Sequence, residues 1–327
     1  MTEFTTLFTG DLQSIDHPQI LALRPRLEDA DAGVRRIALI ELADLEEPEG
    51  LIWLADRLAR DPAEDVRAQA AALLEAWEEP EVVQALCEAL TDPESSVRDA
   101  AAQSLSVLKT AEAGRVILPW TTHADIGVRT AAFRALRELR LEDAAPAALL
   151  ALADEDAGVR REAVGVLGWL KKNEALDTLA ILASDDPDSE VRRAATGALG
   201  LANSAQVLPA LRKALGDDAW QVREEAATTL GKVGHQDAVP ALVEALADEY
   251  WQVRLRATRS LGRLRNPEAL WPLVETLTHS ISNLRKEAAL ALGELGDDRA
   301  RPALSQLEHD GDPEVRKAVR IALAQLQ

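Results

Sequence analysis

An apolar stripe restarts ten times along this chain, each time on a Val-Arg pair or, once, a Leu-Arg pair. The pairs begin at Val34, Val66, Val97, Val128, Val159, Val191, Val222, Val253, Leu284 and Val315, so successive steps are 31 or 32 residues. With the first residue of each pair as position zero, position +8 is Leu in all ten repeats, from Leu42 to Leu323. Position +4 is Ala in nine repeats and Val319 in the last, and position +11 is apolar throughout, from Leu45 and Trp77 to Leu295 and Leu326. These offsets return to one face of a helix with about 3.6 residues per turn. Each pair therefore opens a helix, here called B, with a single buried stripe. Ala at +4 predicts close approach of a neighbouring helix.

A shorter apolar pattern precedes each pair, as in Val239-Pro-Ala-Leu-Val-Glu-Ala-Leu246 and Leu208-Pro-Ala-Leu-Arg-Lys-Ala-Leu215. Pro209, Pro240, Pro272 and Pro302 recur near its start. Proline is tolerated in a first helical turn, where the missing N–H has no intrahelical partner. Each repeat thus reads as helix A, a short turn and helix B. Gly168, Gly200, Gly231, Gly262 and Gly293 fall inside B at +9. Glycine there costs about 1 kcal/mol of helix propensity, which tight helix–helix contact would offset. Gly234 and Gly296 follow their B helices and fit C-terminal caps.

A fixed period of this length marks a solenoid, in which each repeat packs only on its neighbours. The expected fold is an all-α superhelix of about ten two-helix repeats over residues 17–327, with residues 1–16 as a tail or cap. Pro25 lies inside the first A helix and is expected to fray or kink it.

Asp stands five residues before the pair in eight repeats: Asp29, Asp61, Asp92, Asp154, Asp186, Asp217, Asp248 and Asp310. His123 and His279 take the other two places. An Asp at a helix start caps exposed N–H groups. The repeated Arg at +1 has an Asp partner available in its own or a neighbouring repeat, and stacking would turn such pairs into a ladder.

The motif Asp-x4-Val-Arg-x2-Ala-x3-Leu-Gly is clearest from Asp217 to Gly231 and from Asp248 to Gly262. It resembles the HEAT-repeat superfamily, in particular the short HEAT-like repeats of phycobilisome-lyase-related proteins. Earlier repeats depart from it at +9, where Ala43, Glu75, Ser106 and Arg137 stand. The resemblance implies a right-handed solenoid whose B helices line a concave, partner-holding face. It also implies an alternative activity, bilin lyase-like handling of tetrapyrroles on a phycobiliprotein.

Composition narrows the function classes. Formal net charge is -20, which argues against a nucleic-acid binder or a protein of anionic membrane surfaces. The single Cys87 rules out an intrachain disulfide and a multi-thiolate metal site. It sits in the apolar stretch 82–90 and reads as a core thiol. Neither a secretory leader nor a long apolar span is evident, so a cytoplasmic protein is expected.

Candidate chemistry is sparse. Among five histidines no HExxH and no i, i+4 pair occurs. Positions +2 and +3, where di-iron HEAT-repeat hydroxylases carry His-Glu, hold Arg161-Glu162, Glu224-Glu225 and Lys286-Glu287. Glu162, Glu224 and Glu225, with Arg160, Arg161 and Arg223 beside them, read as solvated ion pairs. No phosphate loop or nucleophile elbow appears. We expect no catalytic residue, no metal and no cofactor, and a binding protein in preference to an enzyme.

Once the core stripe is assigned, positions -2, -1, +2, +3, +6 and +10 of the B helices remain. In repeats five to nine they gather Trp169, Arg193, Leu201, Trp220, Trp251, Leu255, Arg256, Arg259, Arg263 and Lys286, with Tyr250 at the adjoining turn. Trp and Arg are the residue types that carry binding hot spots. The set predicts a groove for a protein or peptide, best an acidic segment with apolar anchors. Two other readings remain: Trp220 and Trp251 staple neighbouring turns, or the aromatics hold a small aromatic ligand.

Overall fold

The computed structural model describes residue 12 and residues 15–201 and 205–326. The expected tail at 1–16 falls almost wholly outside them. Among the described residues there are twenty α-helices and no strand. They group into two compact bodies, Met1–Val166 and Leu167–Gln327.

The first body holds α1 (Pro18–Leu27), α2 (Ala32–Ala43), α3 (Leu51–Arg60), α4 (Glu64–Leu73), α5 (Pro80–Ala89), α6 (Ser95–Ser106), α7 (Ala111–Ile117), α8 (Ile126–Leu139), α9 (Ala145–Ala151) and most of α10 (Ala157–Leu170). The second holds α11 (Leu176–Asp185), α12 (Ser189–Leu199), α13 (Leu208–Ala214), α14 (Trp220–Val233), α15 (Val239–Glu244), α16 (Trp251–Leu264), α17 (Leu270–Thr276), α18 (Ser282–Leu295), α19 (Arg301–Ser305) and α20 (Pro313–Gln325). Odd-numbered helices are A and even-numbered helices are B. The two-helix repeat read from periodicity is the observed one, and the fold is an all-α solenoid. Pro25 does not end α1, which runs on to Leu27.

Within the second body, consecutive B helices pack side by side and each A helix packs on its own B helix. The core lies between the two layers. Val222, Ala226 and Leu230 on α14 are fully buried, as are Val253, Ala257 and Leu261 on α16. Leu211, Leu242, Leu273 and Leu304 close it from the A side. Each such Leu contributes about 1.5–3 kcal/mol by leaving water.

Glycine at +9 brings successive B helices together. A Cβ at Gly262 would lie 2.7 Å from Ala291 Cα, and one at Gly231 would lie 2.6 Å from Ser260 Cβ. Ser260 adds a hydroxyl bond of 2.7 Å to the Ala227 carbonyl of the preceding B helix. Gly234 and Gly296 take the left-handed conformation, φ 73° and 72°, that ends α14 and α18. Arg140 and Arg265 end α8 and α16 in the same region without being glycine.

The Arg–Asp ladder exists, and its geometry is more specific than the sequence allowed. Arg at +1 reaches the Asp of the following repeat, not its own. Arg35 holds Asp61, Arg67 holds Asp92 and Arg129 holds Asp154 in the first body. Arg192 holds Asp217, Arg223 holds Asp248 and Arg285 holds Asp310 in the second. The contacts are two-pronged, as in Arg192 Nε–Asp217 Oδ2 at 2.7 Å and Nη2–Oδ1 at 2.9 Å. The remaining Nη1 donates to the backbone carbonyl of the repeat's own Asp, 2.8 Å for Arg192 to Asp186.

The Asp itself does not cap the B helix, contrary to expectation. It accepts the N–H two residues on, as Asp217 does from Ala219 at 2.8 Å, and so closes the turn. The helix cap is the residue at -3, which is an accepting Asp at Asp31, Asp125, Asp188 and Asp312.

Candidate protein-binding surface

The eleven residues singled out by sequence do not form one patch. Trp220 and Trp251 are the first residues of α14 and α16, and Tyr250 is the N-cap of α16. Trp169, Lys232 and Arg263 lie in the last turns of α10, α14 and α16, and Leu201 just follows α12. Twelve residues of helix separate Trp251 from Arg263, or about 18 Å at 1.5 Å per residue. The B-helix side of the second body therefore has an aromatic edge, a charged middle and a mixed apolar–basic edge.

At the aromatic edge, Trp220 stacks on Tyr250 with ring centroids 5.5 Å apart and planes 12° from parallel. The Arg223 guanidinium stands 5.5 Å from the Tyr250 centroid. Trp220 is half-buried and joins repeat seven to repeat eight, which is the staple reading. Such a stack adds about 0.5–1.5 kcal/mol beyond burial. Trp251 remains 38% exposed.

The charged middle is largely self-neutralised. Arg256 bonds Glu224 of the preceding repeat at 2.9 Å. Arg259 grips Glu287 of the next at 2.6 and 2.9 Å, and Arg193 pairs with Glu190 on its own helix at 2.7 Å. Leu255 and Lys286 are half-buried on the same side. Arg256 and Arg259 are rungs of a second ladder that sequence reasoning missed. Glu287 at +3 is 5% exposed, so it is a buried rung.

Glu162, at +3 in the first body, is 3% exposed, so it is a buried pair and not the solvated one expected, and it receives Arg137 at 2.6 Å, Arg161 at 3.5 Å and Arg134 at 3.6 Å. The signal was present in Arg at +6 facing Glu at +3 one repeat later (Arg134 and Glu162, Arg259 and Glu287).

At the third edge, Trp169 is 49% and Leu201 40% exposed. Lys232 is exposed and stands 3.8 Å from Glu225. Arg263 is exposed, and no carboxylate among the described residues pairs with it. Lys232 and Arg263 sit where a helix C-terminus favours a cation.

The two histidines that replace the ladder Asp keep only half of its role. His123 Nδ1 accepts the Asp125 N–H at 3.1 Å and His279 Nδ1 the Ile281 N–H at 3.0 Å, so the turn still closes. Neither offers a carboxylate to the preceding Arg, and Arg254 Nε is buried without a partner. Burial, then the charges of Arg254 and Arg285, hold His279 below the ordinary imidazole value.

Burial pushes the Cys87 thiol far above its ordinary range, consistent with a core thiol. No cluster of three or more potential metal ligands occurs among the described residues. No helix among them is long and apolar enough to cross a membrane. Outside the predicted set, Trp271 on α17 is 61% exposed. It stands on an A helix, where sequence reasoning did not look.

Residues 51–120, 114–200, 180–258 and 240–324 each match HEAT repeats. The chain belongs to the HEAT-repeat family. No curated protein matches the HEAT-repeat chain by sequence. Among solved structures, YibA of Escherichia coli shares 23% identity at a TM-score of 0.60, over 82% of this chain and 98% of that one. The Kap95:Nup1 complex gives a TM-score of 0.65 at 15% identity, over 95% of this chain and 51% of Kap95. The chain thus spans about half the length of Kap95, and the likeness is one of fold. The CpcE–CpcF complex of phycocyanin lyase from Nostoc, at 24% identity, 65% and 94% coverage and a TM-score of 0.45, is too distant in shape to carry an argument.

Proposed function

We propose that this HEAT-repeat chain is a non-enzymatic cytoplasmic scaffold or adaptor that holds a protein partner on its B-helix face, stacking its repeats over residues 17–327. The observation that supports this most is the exposure of Trp169, Leu201 and Trp251 at 49%, 40% and 38% on one side of the second body. Large apolar side chains ringed by polar ones mark interaction sites on soluble proteins. The ladders between them hold that face rigid, which lowers the ordering cost of binding. Kap95 forms a complex with Nup1, so a partner-holding role has precedent in this fold.

The test is affinity capture from the native cell with the wild-type chain and with Trp169→Ala plus Trp251→Ala. Helical content by circular dichroism should be unchanged and capture lost. Unaltered capture by the folded variant overturns the assignment. Arg256→Glu is a poor probe of the same face, because it would set a second carboxylate against Glu224.

A further inference from the structure

We infer that the C-terminal ends of the B helices in the second body form a track for one extended segment of a partner protein, its apolar side chains at the Trp169 end and its carboxylates at the Arg263 end. This rests on the scaffold reading and adds the partner's chemistry and register.

The spacing follows from the glycines at +9. A Cβ at Gly168 would lie 3.1 Å from Ala198 Cβ, and one at Gly200 2.9 Å from Thr229 Cγ2. Gly231 and Gly262 are tighter still against Ser260 and Ala291. Successive B helices are therefore in near-backbone contact at this end, and the next residue of each, +10, projects a side chain beside that contact. Packed helices lie about 8–10 Å apart, and an extended segment in the polyproline II conformation advances about 3.1 Å per residue with three residues per turn, so that every third side chain faces the same way. One partner side chain in about three meets each +10 position.

The row reads Trp169, Leu201, Lys232, Arg263 and then Glu294. The first two offer exposed apolar surface, and the next two offer cations with weak or no internal pairing. Glu294 repels a carboxylate at the following step and so ends the track. The same row in the first four repeats is Asp44, Ala76, Val107 and Glu138, with no cation. Residues 1–166 carry 16 basic and 32 acidic side chains, whereas residues 167–327 carry 20 and 24. An acidic segment is repelled by the first body and finds its cations on this row, which is electrostatic complementarity acting as register. Two cations beside two apolar positions suit a peptide better than a nucleic acid, whose every step carries a phosphate.

The experiment is fluorescence anisotropy with the full chain and a labelled peptide bearing two leucines followed by two glutamates, anchors about three residues apart in a serine background. A peptide of the same composition with leucine and glutamate alternating, and a single-stranded oligothymidylate, are the comparison probes.

The ordered peptide should bind about tenfold more tightly than the alternating one, and Lys232→Glu plus Arg263→Glu should weaken it about tenfold. Lysines in place of the peptide's glutamates should restore binding to that variant. Equal binding of the two peptides, no binding of either, or tighter binding of the oligothymidylate overturns the track. If the charge-reversed variant still captures the wild-type partner from the native cell, the track falls while the scaffold reading stands. If the Trp169→Ala plus Trp251→Ala variant also captures it, both fall.

Discussion

Arg223 reaches from the start of one B helix to Asp248 of the next repeat, with Nε–Oδ2 at 2.7 Å and Nη2–Oδ1 at 3.1 Å. Both side chains lie mostly out of water, and Arg223 is 8% exposed. Removing one partner of such a pair leaves the other buried without compensation, at about 3–5 kcal/mol. Asp248→Ala should therefore speed hydrogen exchange in α14 and α16 well before helices of the first body change. Uniform exchange across the chain would show that the rung is not a local fastener.

The break at His279 is a natural deletion of the same rung. Arg254 Nη1 keeps its bonds to the carbonyls of Asp248 and Glu249, but Nε has no acceptor. His279→Asp should supply the carboxylate that Arg254 lacks and raise the urea midpoint, by about 1–3 kcal/mol for a charge-assisted pair. A lowered midpoint would mean that the imidazole contributes packing which a carboxylate does not replace.

Two pH windows follow from the same geometry. In the ladder, burial tends to raise Asp217 and Asp248, but the hydrogen bonds from Arg192 and Arg223, the backbone N–H groups of Ala219 and Tyr250 and the charges of the neighbouring arginines together hold both below the ordinary carboxylate value. At Asp310 the bond from Arg285 is the leading cause of the same lowering. A folded value below the unfolded one gives stability that is complete above about pH 4 and lost as pH falls through the folded values. His279 is lowered by burial and by Arg254 and Arg285. Its contribution is complete above about pH 6.5 and declines below it, as the unfolded imidazole takes up a proton that the folded one refuses. Unfolding midpoints should show both declines, and His279→Asp should abolish the upper one. A flat profile between about pH 7.5 and 5.5 in the wild-type chain would contradict the second assignment (about one unit either side of the imidazole value).

Arg265 ends α16 at φ 51°, where Gly234 and Gly296 end α14 and α18 at 73° and 72°. A side chain in that region costs about 1 kcal/mol. Arg265→Gly should raise thermal stability slightly, by about 0.5–1 kcal/mol, with part of the gain offset by glycine's greater unfolded entropy. A decrease would indicate that Arg265 makes contacts worth more than the strain.

The fold was legible because one interaction is written ten times. Val222, Ala226 and Leu230 belong to a stripe that repetition makes unmistakable, and the partner of Arg at +1 was narrowed to an Asp. Which Asp was not legible, since the choice between Asp217 and Asp248 for Arg223 depends on how far one repeat is displaced from the next. The candidate surface was harder. Exposure of Trp169 and Trp251 followed from their offsets, but the stacking of Trp220 on Tyr250 and the pairing of Arg259 with Glu287 join residues about thirty positions apart. A pattern read within one repeat does not see those contacts. Trp271 lies on an A helix, outside the B-helix offsets that define the face.

That contrast supplies the most direct test of the binding face. A photo-crosslinking phenylalanine analogue placed at Trp169, at Trp251 or at Trp271 samples the two B-helix edges and the A-helix side of the same body. After capture from the native cell and irradiation, the partner should be covalently joined at position 169 or 251 and not at 271. Joining at 271 alone would place the partner on the A helices and contradict the account.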